Sequence, residues 1–142
     1  MKEYVKFDGE ILAIIVRSSF RREGIEFFTP EHFSQQLGYM KRPKGYTVEP
    51  HIHNFIPREV SFTQEVLFIK SGKVRIDFYD GNKEYFESKI LESGDIILLA
   101  HSGHGLVMLE ESELIEVKQG PYIEAEDKIK FDSVSQHEII IK

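Results

Sequence analysis

Short runs of β-branched and aromatic residues recur along the chain and alternate with clusters of turn residues, a pattern typical of strands rather than helices. The runs predict nine strands, at residues 10–16, 25–29, 46–53, 64–70, 73–79, 83–91, 95–100, 104–110 and 113–119. Gly72, Gly81 and Gly94 stand in the turns KSGK, YDGNK and LESGD, where positive φ angles favour hairpins. The pattern therefore predicts an all-β fold whose strands close or stack on one another.

One segment carries the start signals of a helix. Thr29 is a good N-cap residue, Pro30 suits the first helical position, and Glu31 favours the positive end of the helix dipole. These signals predict one short helix over residues 30–37.

Both ends of the chain are β-prone. The N-terminal MKEYVKF and the EIIIK run that closes residues 121–142 are suited to edge strands. Because an open two-sheet structure has edges that need cover, these segments predict pairing within the chain or with a partner, and a homodimer.

Composition limits the class of protein. A chain of 142 residues with 41% hydrophobic content is long enough for one domain, residues 1–142, with its own core. Its 18 basic and 24 acidic residues give a formal charge of −6, which opposes nucleic-acid binding. No apolar run is long enough for a membrane span or a signal core, so we expect a cytoplasmic protein without a membrane partner. Without cysteine, any metal must be bound by nitrogen and oxygen atoms.

Two clusters of histidine suggest such a metal site. On a strand, His51 and His53 share one face with α-carbons about 6.6 Å apart, so both imidazoles can bind one ion. Farther along, AHSGHGL supplies His101 and His104. The first pair alone is equally compatible with a metal site and with a structural role, in which one histidine forms a hydrogen bond in the core and the other lies at a strand end.

The spacing around these histidines resembles the two motifs of the cupin superfamily. The first motif reads G-YTVEP-H-I-H and E-VLFIKS-G, and the second has Gly94, five residues, Ala100 and then His104. The resemblance covers residues 45–106 and implies a double-stranded β-helix, the jelly-roll barrel of two antiparallel sheets. It also implies one divalent metal ion held by four ligands, which are His51, His53, Glu65 and His104.

The sequence departs from the cupin pattern in both motifs. Eleven residues separate His53 from Glu65, where cupins commonly have three or four, so Glu59 in this long loop is a rival ligand. In the second motif His101 is a rival to His104. The family's proline, glycine and asparagine are replaced by Ala100, Ser102 and Met108.

Three imidazoles and one carboxylate suit Zn, Fe, Mn, Ni or Cu and leave open positions for a small-molecule ligand. The resemblance implies a metal-dependent isomerase or epimerase of a sugar phosphate or nucleotide sugar. A non-haem iron dioxygenase and a non-catalytic binding protein remain alternatives. Residues near the predicted barrel mouth are weaker candidates for contacting an anionic sugar, and these are Lys41, Arg42, Tyr46, Arg58 and Gln64.

Overall fold

The computed structural model describes residues 1–142 and is mostly β, as the sequence predicts. Its strands are β1 (Lys2–Phe7), β2 (Glu10–Val16), β3 (Gly24–Phe27), β4 (Gly38–Lys41), β5 (Glu65–Ser71), β6 (Lys73–Tyr79), β7 (Tyr85–Glu92), β8 (Ile96–Leu99), β9 (Gly103–Met108) and β10 (Glu113–Lys118). A four-residue helix α1 (Glu124–Asp127) and a 3₁₀ turn (Gln136–Glu138) follow. No helix is long or apolar enough to cross a membrane.

The strands form three antiparallel sheets. A five-stranded sheet has the order β1-β2-β8-β5-β10, a three-stranded sheet has the order β7-β6-β9, and β3 pairs only with β4. The two larger sheets share one hydrophobic core, to which both contribute side chains. Its buried members are Val5, Ala13, Ile15, Leu67, Ile69, Val74, Ile76, Phe78, Leu91, Ile97 and Leu99.

Strand β2 is buried on both faces, which explains its unbroken apolar sequence. Ala13 and Ile15 point into the shared core, whereas Ile14 and Val16 pack with Phe28 in a second cluster on the outer face. The segment between β2 and β5 therefore covers the outside of this sheet.

The glycine turns have a different role from the predicted hairpins. Gly72 and Gly94 have positive φ angles of 86°, as expected, but each turn carries the chain from one large sheet to the other. At Gly72 a side chain would also overlap the backbone at Ser112. In the third turn Gly81 does not have a positive φ angle, and Lys83 has one instead. Of the three glycine turns, this is the one that joins two paired strands, β6 and β7.

The predicted helix over residues 30–37 is wrong, because side chains form a compact loop in its place. The hydroxyl of Thr29 donates to Gln36 Oε1 at 2.8 Å and accepts from the amide of Leu37 at 3.2 Å, so it does not cap a helix. The side-chain amide of Gln36 donates to the backbone carbonyls of Pro30 and Phe33, both at 3.0 Å. These bonds satisfy backbone groups that a helix would pair internally.

The predicted strand over residues 46–53 is also wrong. Residues 42–62, which we name the arm, contain no strand, and every one of them is exposed. The arm's only backbone-to-backbone hydrogen bond runs from the Tyr46 amide to the Pro43 carbonyl, at 3.2 Å. A strand exists only beside another strand, and no strand of this chain lies beside the arm.

Residues 134–142, which we name the tail, lie along β7. Ser88 and Ile141 form a parallel bridge, the Ser88 amide donates to the Ile140 carbonyl at 2.7 Å, and the Lys142 amide donates to the Ser88 carbonyl at 3.0 Å. The tail therefore covers this edge of the three-stranded sheet within the chain.

Candidate functional site

Glu65 and His104 meet between the two large sheets. Glu65 begins β5 beside Leu99, whose side chain lies in the core, so its own side chain points inward. His104 lies on β9 opposite the buried Phe78 and points inward from the other sheet. The distance from His104 Nε2 to Glu65 Oε1 is 3.2 Å. The fold thus brings together two of the four predicted metal ligands.

The surroundings of Glu65 keep its carboxyl group ionised. The hydrogen bond with His104 lowers the pKa of Glu65 to about 2, against the opposing effect of burial. A hydrogen bond with Glu116 and the positive charge of Lys118 contribute to the same lowering of the pKa. At neutral pH the site therefore contains a carboxylate that can bind a cation or accept a proton.

A cavity of about 750 Å³ surrounds this pair. Leu67 and Leu99 form part of its apolar lining, and Tyr79 packs edge-to-face on Phe131 with ring centroids 5.0 Å apart. Four lysines also line the cavity, which are Lys83, Lys118, Lys128 and Lys130. The cavity thus combines apolar side chains with lysines and with the carboxylates of Asp80, Glu116, Asp127 and Asp132.

Two carboxylates near the rim are paired with lysine. Lys118 Nζ lies 3.1 Å from Glu116 Oε1, and this hydrogen bond raises the pKa of Lys118. Lys130 Nζ lies 3.2 Å from Glu124 Oε1. Glu116 therefore favours the charged form of Lys118, and both ammonium groups lie beside a carboxylate.

The end of the arm lies at the cavity mouth. Phe62 packs edge-to-face on His101, with ring centroids 5.3 Å apart, and both residues line the cavity. The next residue, Thr63, donates its hydroxyl to Asp127 at 2.5 Å. His101, the rival of His104, is also 3.8 Å from Glu10 and does not contact Glu65.

The other two predicted ligands lie in the arm. The rings of His51 and His53 are neighbours, with centroids 5.1 Å apart, and His51 Nδ1 lies 2.8 Å from the Glu49 carbonyl. Nowhere in the protein do three or more histidine, aspartate or glutamate side chains form a group that could hold a metal. The predicted ligand set is therefore present as two separate pairs.

The remaining predicted contact residues do not line the cavity. Lys41 is ion-paired with Glu23, and the guanidinium of Arg42 lies over the ring of Tyr46, 4.5 Å from its centroid. Arg58 and the rival carboxylate Glu59 line a separate pocket of about 570 Å³.

Gln64 is buried and has a structural role. Its Oε1 atom accepts a hydrogen bond from the backbone amide of Gln35 at 3.0 Å. Its own backbone amide donates to Gln119 Oε1 at 2.7 Å. These bonds fix the point at which the arm enters β5.

Sequence reasoning missed the residues of β10 and of the stretch after it. Glu116 and Lys118 alternate in phase with Leu114, which packs against the core, so polar side chains follow an apolar one on the same inner face. That phase is a usable signal for a polar site inside a sheet. Lys128 and Lys130 have a similar period of two but belong to no strand, so periodicity did not reveal them.

Comparison with known proteins gives no relative from which the role of this site could be inferred. No protein-family profile, curated protein or solved structure matches the chain. Its function is therefore argued from the cavity and its side chains.

Proposed function

We propose that the protein is a cupin-type barrel that binds one divalent transition metal ion and isomerises an anionic, carbonyl-bearing carbohydrate at that ion. The observation that carries the proposal is the pairing of Glu65 with His104, one from each large sheet, inside a cavity with a lysine rim. The two facing antiparallel sheets support the barrel, and the motif spacing supports the cupin resemblance.

The candidate ligands of such an ion form two separate pairs. Glu65 offers an ionised carboxylate beside the imidazole of His104, and His51 and His53 offer two further imidazoles next to each other. Nitrogen and oxygen ligands of this kind suit Zn, Fe, Mn, Ni or Cu. A metal site with all four ligands forms only if the His51–His53 pair of an arm comes next to a Glu65–His104 pair.

The cavity suits a small anion. Its volume of about 750 Å³ lies within the range of roughly 300–1,000 Å³ that is usual for small-molecule sites. Lys118, Lys128 and Lys130 present ammonium groups that would contact a phosphate or carboxylate, while Phe131 and Tyr79 provide an apolar wall. A sugar phosphate or nucleotide sugar fits this combination of charge and size.

Glu116 is the best candidate for proton transfer. A divalent ion supplies a Lewis acid that polarises a carbonyl oxygen and acidifies the adjacent carbon. Glu116 is hydrogen-bonded to Glu65 and paired with Lys118, but its side chain is 42% exposed against 20% for Glu65, so it is the carboxylate that can turn to a ligand and accept the proton. Return of that proton to the former carbonyl carbon, with transfer of the adjacent hydroxyl proton to the former carbonyl oxygen, would complete an isomerisation.

Metal binding is tested by elemental analysis of protein purified without a polyhistidine tag. We expect about one ion per chain in the wild type, and its loss in the double variants His51→Ala/His53→Ala and Glu65→Gln/His104→Ala. The matched control is His32→Ala/His137→Ala, which removes two exposed histidines outside the site. Full occupancy in either site variant would refute the ligand assignment.

The reaction is tested by solvent deuterium incorporation into sugar phosphates and nucleotide sugars. We expect exchange at the carbon next to the carbonyl, lost in Glu116→Gln but kept in Glu113→Gln, which alters an exposed carboxylate on the same strand. Oxygen consumption by the iron-loaded protein would instead favour a dioxygenase. Ligand binding without either reaction would favour a non-catalytic binding protein.

A further inference from the structure

The arm leaves large apolar side chains in water. Ile52 is 91% exposed and Phe55 is 93% exposed. Five more large apolar residues of the arm are exposed, which are Tyr46, Val48, Ile56, Val60 and Phe62. A contiguous apolar segment of this kind marks an interaction site rather than an ordinary surface loop.

Strand β9 has an open edge next to the candidate site. It is the last strand of the three-stranded sheet and pairs only with β6. Its side chains Leu106 and Met108 lie opposite the fully buried Ile76 and Val74, yet they are 37% and 50% exposed. The inner face of the sheet therefore lacks a covering neighbour on this side, and one row of β9 backbone groups has no strand partner.

The arm has the features that this edge lacks. Its residues 46–56 are rich in β-branched and aromatic side chains, and their backbone groups have almost no partners. In an added strand His51, His53 and Phe55 would share one face, while Val48 and Ile52 would share the other. With the histidine face inward, a strand about 4.8 Å from β9 would place both imidazoles beside His104.

The arm of the same chain does not pair with this edge. Its far end is fixed at the cavity mouth by the packing of Phe62 on His101 and by the hydrogen bond from the Gln64 amide to Gln119. Between its ends every hydrogen bond of the arm is local, from Tyr46 to Pro43, at His51 to Glu49, and from Arg58 to Ile56. A second copy offers an identical open edge, and a reciprocal exchange would satisfy two arms and two edges with closed symmetry.

We propose that residues 46–56 of one chain add as a strand to β9 of a second copy and carry His51 and His53 to the partner copy's Glu65 and His104 positions. Each metal site is then shared by two chains and is incomplete in one chain alone. The identity of the site rests on the proposed function, whereas the exchange of arms rests on the open edge and the exposed arm.

Complementation between variants tests the shared site. Chains with His51→Ala/His53→Ala are combined with chains with Glu65→Gln/His104→Ala by co-expression with two different tags that contain no histidine, and doubly tagged dimers are isolated. Neither variant alone should bind the ion. The mixed dimer should regain one ion per dimer, half of the wild-type content, because one intact arm then meets one intact pocket.

No regained ion in the mixed dimer, with a wild type that binds two, would show that each site is built within one chain and would overturn the proposal. Failure of the two variants to form any dimer, with a wild type that is monomeric at micromolar concentration, would overturn it as well.

A second experiment does not depend on the metal. The chain has no cysteine, so Ile52→Cys and Val107→Cys can be made separately and mixed with a flexible bismaleimide crosslinker. We expect a covalent dimer from the mixture and from a double variant that carries both changes. A monomeric intramolecular crosslink in the double variant, without a dimer from the mixture, would overturn the exchange of arms. A wild type that binds no ion, together with a crosslinked dimer from the two cysteine variants, would refute only the proposed metal function.

Discussion

The tail and the arm are two β-prone segments outside the regular strands, and only the tail lies along an edge of the three-stranded sheet. The tail covers β7 through backbone hydrogen bonds between Ser88 and Ile140 and between Lys142 and Ser88, at 2.7 and 3.0 Å. The arm has the same kind of sequence but covers nothing in its own chain, and β9 stays open. One edge of the sheet is thus closed within the chain, and the other is open.

Side chains explain why the tail stays in place. Arg75 donates to Gln136 Oε1 at 3.2 Å, Tyr85 accepts from the Ile140 amide at 2.8 Å, and Lys142 pairs with Glu87 at 2.8 Å. The hydrogen bonds of the arm, in contrast, connect only residues two or three positions apart. Similar β propensity therefore gives opposite results, because pairing depends on partners that lie elsewhere.

The largest effect is expected where the tail meets a buried charge. Asp77 accepts two hydrogen bonds from Arg75, at 2.7 and 3.0 Å, and both side chains are buried. Asp77→Ala should lower the free energy of unfolding by about 3–5 kcal/mol, because it leaves the Arg75 charge buried without its partner. Urea denaturation measures the loss, and limited proteolysis should show release of the tail.

The exposed Asp132→Ala is the control for this change. Replacement of both partners, Arg75→Met/Asp77→Leu, should cost much less than Asp77→Ala, because no unpaired charge remains. An equal loss in Asp77→Ala and Asp132→Ala would show that the tail does not depend on this pair.

The stability that the Glu65–His104 pair provides should be lost in acid. The pKa of Glu65 is lowered to about 2 in the folded chain from 4.5, so its stabilising effect is complete above pH 4.5 and is lost as the pH falls toward 2. Between pH 6 and pH 3 this group should account for a loss of about 2 kcal/mol in metal-free protein. Unfolding by urea at the two pH values, with a chelator present, measures it.

Glu65→Gln should remove that part of the pH dependence, whereas Glu113→Gln on the exposed face of β10 should leave it. A wild type and a Glu65→Gln variant with the same loss between the two pH values would contradict the assigned role of His104.

A smaller effect separates the two segments through one hydroxyl group that contacts the tail and one that lies in the arm. Tyr85→Phe removes the hydrogen bonds with Ser88 Oγ and the Ile140 amide, both 2.8 Å, and should cost about 1 kcal/mol. Amide hydrogen exchange should accelerate at Ile140. Tyr46→Phe is the matched change in the arm, where the hydroxyl has no partner, and it should have almost no effect on unfolding. Equal costs for the two variants would remove the contrast.

The smallest effect on the single chain is expected in the arm. Ile52→Ser/Phe55→Ser should change the unfolding free energy of the diluted monomer by less than about 0.5 kcal/mol, because these side chains touch nothing there. The same variant should weaken self-association at least tenfold in sedimentation experiments. Unchanged self-association, or a large loss in the monomer, would place these side chains elsewhere.

Much of the sheet was predictable because its strands carry their own signals. β2 and β6 were predicted with correct ends, since their β-branched runs are bounded by turn residues. β1 was predicted only as edge material, since Val5 is its single buried residue, and β4 was missed because it begins at Gly38 where helix signals precede it. A pattern in one segment does not state which segment pairs with it.

The site was predictable by half for the same reason. Glu65 and His104 lie on strands that the chain's own pairing fixes, and their side chains meet at 3.2 Å. His51 and His53 have the alternation of a strand, but no neighbouring strand of this chain lies beside them. The helix signals of Thr29 were likewise overridden, since Gln36 bonds to the carbonyls of that loop.

The contacts of the arm in solution show whether the arm of one chain pairs with β9 of a second copy. In a mixture of isotope-labelled and unlabelled chains, filtered nuclear Overhauser spectra report only contacts between copies. The account predicts contacts of Ile52 and Phe55 in one chain with the β9 residues Leu106, Val107 and Met108 in its partner. The same contacts found only within one chain, or no contact between the arm and β9, would contradict it.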